Sequence, residues 1–78
     1  MIDRFYLTSG ERYEFQTDGQ YVVVVCLGAS LNVYKNNVLL ATLDWLDTYS
    51  CPANSGSYVI ENAGDLGMYV LLVRYVLL

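Results

Sequence analysis

Short runs of Val, Tyr, Leu and Phe follow one another along this chain, and clusters of Gly, Asn, Asp and Ser separate them. A turn signal about every 8 to 12 residues, between β-branched and aromatic runs, is typical of an all-β sandwich or barrel. The pattern therefore predicts a single all-β domain over residues 1–78, built of about seven antiparallel strands. We place these strands at residues 3–7, 11–16, 21–27, 31–35, 38–43, 57–61 and 67–78.

Residue type also predicts the connections between strands. Asp18-Gly19 is a strong signal for a tight hairpin, and Asn36-Asn37 predicts a type I′ turn because asparagine tolerates positive φ. Residues 44–56 show no period, so we expect a long loop there, with a single helical turn at 44–49.

The chain carries more apolar side chains than a domain of its size is expected to bury. Hydrophobic residues make up 55% of the 78 residues and charged residues 15%, and the mean hydropathy is +0.34. A domain this small buries only about 60% of the surface that its unfolded chain exposes. Part of the apolar surface should therefore lie in an interface with other chains.

Two predicted strands, residues 21–27 and 67–78, are apolar on both faces, and the second contains a single charge, Arg74. We expect that charge to pair with an acid, to point across a subunit interface, or to protect a sheet edge. The acids considered are Asp3, Glu14 and Glu61. The predicted self-association interface comprises Tyr69, Leu71, Val73, Arg74, Tyr75, Leu77 and Leu78.

Several classes of function are disfavoured by residue types that the chain lacks. It contains no histidine, the usual general base and the usual neutral metal ligand, so we expect neither enzyme activity nor a cofactor. Four basic residues against eight acidic ones argue against a nucleic-acid partner. No run approaches the roughly 18 apolar residues of a membrane span, and no signal peptide is evident. We therefore expect a protein that is not exported and has no membrane partner.

Candidate metal ligands and thiols also have a structural interpretation. The spacing of Asp44, Asp47, Asn62 and Asp65 matches no EF-hand loop, so we predict no metal site and expect the first two acids to flank a turn. Cys26 lies in an apolar run and Cys51 in the long loop. Free thiols are the favoured state, with one disulfide between them as the alternative.

In overall character the chain resembles the capsid decoration (cement) proteins of tailed bacteriophages. The features that carry this resemblance are the Tyr- and Val-rich strands at 21–27 and 68–78 and the hairpin at 31–40. The resemblance implies a jelly-roll-like antiparallel β-sandwich that forms a homotrimer. It further implies that this protein binds a larger protein shell such as a capsid, and that it is made in the host cytoplasm and resides in the virion.

Two other functions remain open from the sequence. Exposed aromatic rings are favoured at binding surfaces, so Trp45, Tyr49 and Tyr58 are candidates for a carbohydrate- or receptor-binding site, as in a module of a phage fibre. A small inhibitor whose acidic surface mimics nucleic acid is a third possibility.

Overall fold

Eight β-strands and no helix make up residues 1–76, the part of the chain that the computed structural model describes. No helix that could cross a bilayer occurs in that part. Leu77 and Leu78, which the sequence assigned to the interface, lie outside the described residues. The strands are β1 (Ile2–Leu7), β2 (Arg12–Gln16), β3 (Tyr21–Leu27), β4 (Leu31–Lys35), β5 (Val38–Leu43), β6 (Thr48–Cys51), β7 (Ser57–Asn62) and β8 (Met68–Tyr75).

The strands form two antiparallel four-stranded sheets with the orders β1-β8-β3-β6 and β2-β7-β4-β5, here called sheet I and sheet II. The pairs β1–β8, β2–β7, β3–β6 and β4–β5 are nested one inside the next, as if one long hairpin had been rolled up. Eight strands in two packed sheets with this connectivity form a jelly roll, which confirms the predicted fold class. The predicted number of strands was one too low.

The missed strand is β6, which lies inside the segment that the sequence left as a loop. Instead of a helical turn at 44–49, the chain makes a tight turn in which the amide of Asp47 donates to the carbonyl of Asp44, at 3.0 Å. The Asp47 carboxylate in turn accepts from the Asp44 amide at 2.9 Å, so both acids flank a turn as expected. Leu46 holds a φ of 65° in this turn, a conformation that is uncommon for a branched residue.

The two predicted turns have different outcomes. Asn36 and Asn37 both have positive φ, at 51° and 63°, and join β4 to β5 in the predicted hairpin. Asp18 and Gly19 also form a tight turn with positive φ, but β2 and β3 belong to different sheets. The hairpin prediction at Asp18-Gly19 was therefore wrong, because this turn is a corner at which the chain crosses from sheet II to sheet I.

The core lies between the sheets and is filled by the inward side chains of all eight strands. In β3, for example, Val22, Val24 and Cys26 are fully buried, whereas the residues between them are half-buried. The backbone at Gly28 lies so close to β8 that a Cβ at this position would be 2.5 Å from the Cβ of Met68, which leaves no room for a side chain. The core comprises Leu7, Phe15, Val22, Val24, Cys26, Leu31, Val33, Leu43, Cys51, Tyr58, Ile60, Met68, Val70 and Leu72.

Both cysteines are free and buried in this core. Cys51 lies opposite Val22, which is four residues from Cys26 on the same strand. Four residues of strand span about 13 Å, so the register rules out a disulfide between the two cysteines. Burial raises the pKa of both thiols, that of Cys51 to about 11. Both thiols are therefore protonated and unreactive at neutral pH.

Candidate functional site

The outward side of sheet I is apolar across β1, β8 and β3. Side chains alternate along a strand, so the residues between the buried positions all point away from the core. Of these outward residues Ile2, Tyr6, Tyr69 and Tyr75 are exposed, and the others on β3 and β8 are half-buried by their neighbours in the sheet. We call this surface the apolar face and define it by eleven residues: Ile2, Arg4, Tyr6, Tyr21, Val23, Val25, Leu27, Tyr69, Leu71, Val73 and Tyr75.

Strand register orders the apolar face into rows with aliphatic residues at the centre. Val73 lies between Ile2 on β1 and Val23 on β3, and the next row places Leu71 beside Val25. These short branched side chains give the middle of the sheet a continuous hydrocarbon surface.

Tyrosine pairs border that centre at both ends. Tyr6 and Tyr69 meet edge to face with ring centroids 5.0 Å apart, and Tyr21 stacks on Tyr75 at 5.5 Å. The guanidinium of Arg4, the only charge on the face, lies 5.2 Å from the centre of the Tyr69 ring. Enrichment in tyrosine and arginine with depletion of acidic residues is the composition of protein–protein interfaces.

The outward side of sheet II has the opposite chemistry. Glu61 accepts from the Arg12 guanidinium at 2.9 Å and from the Tyr34 hydroxyl at 3.0 Å, and Asn32 adds a third, longer bond. The hydrogen bond from Tyr34 is the main cause that holds the pKa of Glu61 below its ordinary value, and Arg12 acts in the same direction. These groups on β2, β7 and β4 already satisfy one another and are partly hydrated. The exposed apolar side chain of Leu39 lies beside them on β5, opposite Tyr34.

The interface residues predicted on β8 fall on two sides of the strand. Tyr69, Leu71, Val73 and Tyr75 all belong to the apolar face. Arg74 does not, because its position alternates with theirs and its guanidinium donates to the backbone carbonyl of Gln16 at 2.8 Å. Among residues 1–76, Arg74 pairs with no acid and does not belong to the apolar face, and β8 lies between β1 and β3 and not at a sheet edge. Arg74 instead ties the end of sheet I to the end of β2.

The predicted interface residues included none from β1 or β3. Ile2 lay outside the predicted first strand, and Arg4 and Tyr6 gave no sign of which strand they would neighbour. The signal for β3 was present, since residues 21–27 are apolar at every position and only one of its two sides enters the core.

The three aromatic residues proposed for sugar binding do not converge on one surface. Tyr58 is buried at 4% exposure, stacks on Phe15 and donates its hydroxyl to Ser55. Tyr49 is half-buried and packs against the core. Only Trp45 is exposed, at 63%. The three rings therefore do not form one shared platform in this structure, because Tyr58 is a core residue and Tyr49 is partly buried against the core.

Trp45 instead lines a groove at one end of the sandwich. The groove has a volume of about 640 Å³, and its large exposed apolar side chains are Trp45 and Leu66. Gly28, Gly67 and Met68 also line it. A Cβ at Gly67 would overlap the outer end of the exposed Tyr6 side chain, so a larger residue there would have to displace that ring where the groove meets the apolar face. Within residues 1–76, no group of three His, Cys, Asp or Glu side chains is placed to hold a metal ion.

Comparison with known proteins shows the fold of this chain and no family. No family model matches, and no curated protein matches in sequence. Among solved structures, a de novo designed double-stranded β-helix is similar at a TM-score of 0.81 and 15% identity, over 96% of this chain and 99% of the designed chain. A predicted oxalate decarboxylase from Thermotoga maritima matches at 0.81 and 19%, over 99% of this chain and 66% of that chain.

A third similar structure is Drosophila melanogaster CENP-C bound to CAL1, with a TM-score of 0.79 and 15% identity, over 96% of this chain and 64% of that one. This chain thus spans just under two thirds of the length of each of these two natural chains. Identities this low show a common jelly-roll-type fold alone.

Proposed function

We propose that this protein is a structural assembly protein that associates with further copies of itself through the apolar face. The observation that supports the proposal most is the contrast between the two sheets. One outward side is a hydrogen-bonded polar surface, whereas the other is apolar across three strands and bordered by tyrosines. Solvent-exposed apolar surface of this kind marks an interaction site in soluble proteins.

The distribution of charge favours a second copy as the partner. The protein has a net charge of -4, so two copies repel each other on most approaches. None of the eight acidic residues belongs to the apolar face. Two copies can therefore meet there without bringing acids together, and the charged remainder of the surface stays hydrated.

The size of the face sets the strength of the association. Three strands about 4.8 Å apart and about seven residues long cover roughly 330 Å² in each copy. Roughly 650 Å² buried in total is below the size of stable specific interfaces and fits a weak, transient one. We therefore expect a dissociation constant of about 1–100 μM for two copies packed face to face. A flat face packs on its own copy across a twofold axis, so a trimer would need a second, different patch on each protomer.

Binding to a larger protein shell is the finer part of this proposal. Its support is the resemblance in sequence character to bacteriophage capsid decoration proteins, together with the weak association expected of an isolated pair. Many weak contacts repeated on a symmetric lattice produce firm attachment. That a protein of this fold can bind a protein partner is illustrated by CENP-C bound to CAL1.

We also propose that the protein has no catalytic activity, although one of the similar structures is a predicted oxalate decarboxylase. The chain contains no histidine, and its two thiols are buried with raised pKa values. Buried, protonated thiols are poor nucleophiles. Most of the space between the sheets is occupied by the packed core side chains described above.

Sedimentation velocity across a concentration series tests self-association. We expect the sedimentation coefficient to rise between about 1 and 200 μM, with an association that 1 M NaCl leaves intact or strengthens, because apolar burial is not screened by salt. A monomer at every protein concentration, with and without 1 M NaCl, would overturn the proposed function.

A further inference from the structure

The two sheets end in four edge strands, and three of these carry features that hinder pairing with a foreign strand. β1 contains Asp3 and Arg4, and β2 contains Arg12 and Glu14. β6 is only four residues long and is followed by Pro52. Charged side chains, proline and short length are the usual protections of an exposed sheet edge.

The fourth edge strand, β5, has neither charge nor proline over its six residues. Val38, Leu39 and Leu40 are exposed at 59%, 50% and 40% of their surface. The register shift between Val33 and Tyr34 leaves Leu40 without a partner on β4, so a bulge lies within this exposed run. A bulge is a partial protection of an edge, but Val38 and Leu39 remain exposed between it and the Asn36-Asn37 turn. Within the described part of the chain, β5 pairs with β4 and with no other strand. Its outer side therefore presents unpaired backbone groups beside apolar side chains.

We propose that β5 pairs antiparallel with β5 of a second copy, which joins two copies of sheet II into one eight-stranded sheet. Charge supports a second copy as the occupant, because Lys35 is the only charged residue of the β4–β5 hairpin. The Lys35 ammonium is held by the carbonyl of Ser55 and lies 4.6 Å from the centre of the Tyr58 ring. No like charges meet when two such strands pair.

Order supports the same occupant. A second copy brings a strand that is already extended and hydrogen-bonded on its other side, so pairing orders almost no additional backbone. A disordered peptide would have to lose conformational entropy on binding. Pairing of edge strands is also a self-complementary contact, as a twofold interface requires.

This inference goes beyond the proposed function, since it rests on β5 and not on the apolar face. If both surfaces act, each protomer has two self-complementary contacts on different elements. Such a protomer does not stop at a dimer, and it forms a closed tetramer or a longer array.

The test compares Leu39→Lys with the matched control Leu66→Lys by native mass spectrometry and hydrogen–deuterium exchange. Both residues are exposed and apolar, and both variants gain one positive charge, but Leu66 lies in the β7–β8 turn. Equal melting temperatures verify that each variant folds. At about 100 μM we expect wild type and Leu66→Lys to form species larger than a dimer, and Leu39→Lys to give at most a dimer. We also expect the amides of β5 to exchange at least about tenfold more slowly in concentrated wild type than in Leu39→Lys.

Two results would overturn the inference: an unchanged mass in Leu39→Lys, or β5 amides that exchange equally fast in both proteins. A wild-type dimer that Leu39→Lys dissociates and Val73→Asp leaves intact supports β5 pairing and overturns the apolar face. The converse pattern overturns β5 pairing and supports the apolar face. A wild-type monomer overturns both.

Discussion

Val73→Asp is the substitution that probes the apolar face at its centre. Val73 lies between Ile2 and Val23 and is half-buried within the sheet, with its outward side free. In the free protein a carboxylate at this position stays hydrated. In a face-to-face pair the same carboxylate is removed from water on both sides of the twofold axis.

The magnitude follows from two contributions. Losing the remaining burial of a valine costs about 1 kcal/mol, roughly half the value for full burial. An unpaired carboxylate in the interface costs several kcal/mol more, although Arg4 in the neighbouring row can offset part of that cost. A net loss of about 2–3 kcal/mol weakens the pair about 30- to 150-fold. A complex with a dissociation constant of about 10 μM would then be mostly monomeric at 100 μM.

Sedimentation equilibrium of Val73→Asp and of the control Val59→Asp measures this loss. Val59 is the half-buried valine on the outward side of sheet II, where Glu14 lies opposite it. The control therefore suffers at least as large an intramolecular cost from its new charge. We expect the control to keep the wild-type association constant. If Val73→Asp folds and associates as tightly as wild type, the apolar face is not the interface.

Three further predictions concern the fold. Cys26 and Cys51 should resist alkylation by iodoacetamide at pH 8 and react only on unfolding, because burial raises the pKa of both thiols; rapid modification of native protein, followed by mass spectrometry, would contradict this. The pKa of Glu61 is lowered in the folded protein. The contribution of its carboxylate to stability is therefore present above the ordinary pKa of 4.5 and is lost as pH falls through the lower folded pKa. Glu61→Gln should reduce the acid dependence of the free energy of unfolding measured in urea. Gly28→Ala should lower the free energy of unfolding by about 1–3 kcal/mol, since its methyl group collides with β8, and an unchanged urea midpoint would refute that contact.

Much of this fold could be predicted from local sequence. The β4–β5 hairpin follows from Asn36 and Asn37, which adopt the positive φ that a type I′ turn needs. The bounds of β1, β2, β3, β4, β5 and β7 were predicted within one residue, whereas the last strand was predicted to run to residue 78 and β8 ends at Tyr75. Strand β3 was apolar at every position, which indicated that both of its sides would be covered, and one of them is the core.

What local sequence could not supply was the pairing between distant strands. Asp18-Gly19 has the residues of a hairpin turn, yet β2 and β3 separate because β7 and β8 offer them partners. The short strand β6 exists because Cys51 fits into the core opposite Val22. Tyr58 could not be distinguished from an exposed aromatic residue until Phe15 was placed beside it. Each of these facts depends on a partner about 30 or more residues away, which periodicity does not report.

Oxidative footprinting of the tyrosines at low and high protein concentration shows whether the apolar face is covered when copies associate. Tyr6, Tyr69 and Tyr75 belong to the apolar face, whereas Tyr13 is exposed on β2 of sheet II and serves as the internal control. We expect modification of the three face tyrosines to fall as the protein concentration rises from about 1 to 200 μM, and modification of Tyr13 to stay constant. If the modification of each of the four tyrosines is the same at both concentrations, the apolar face is not an interface between copies.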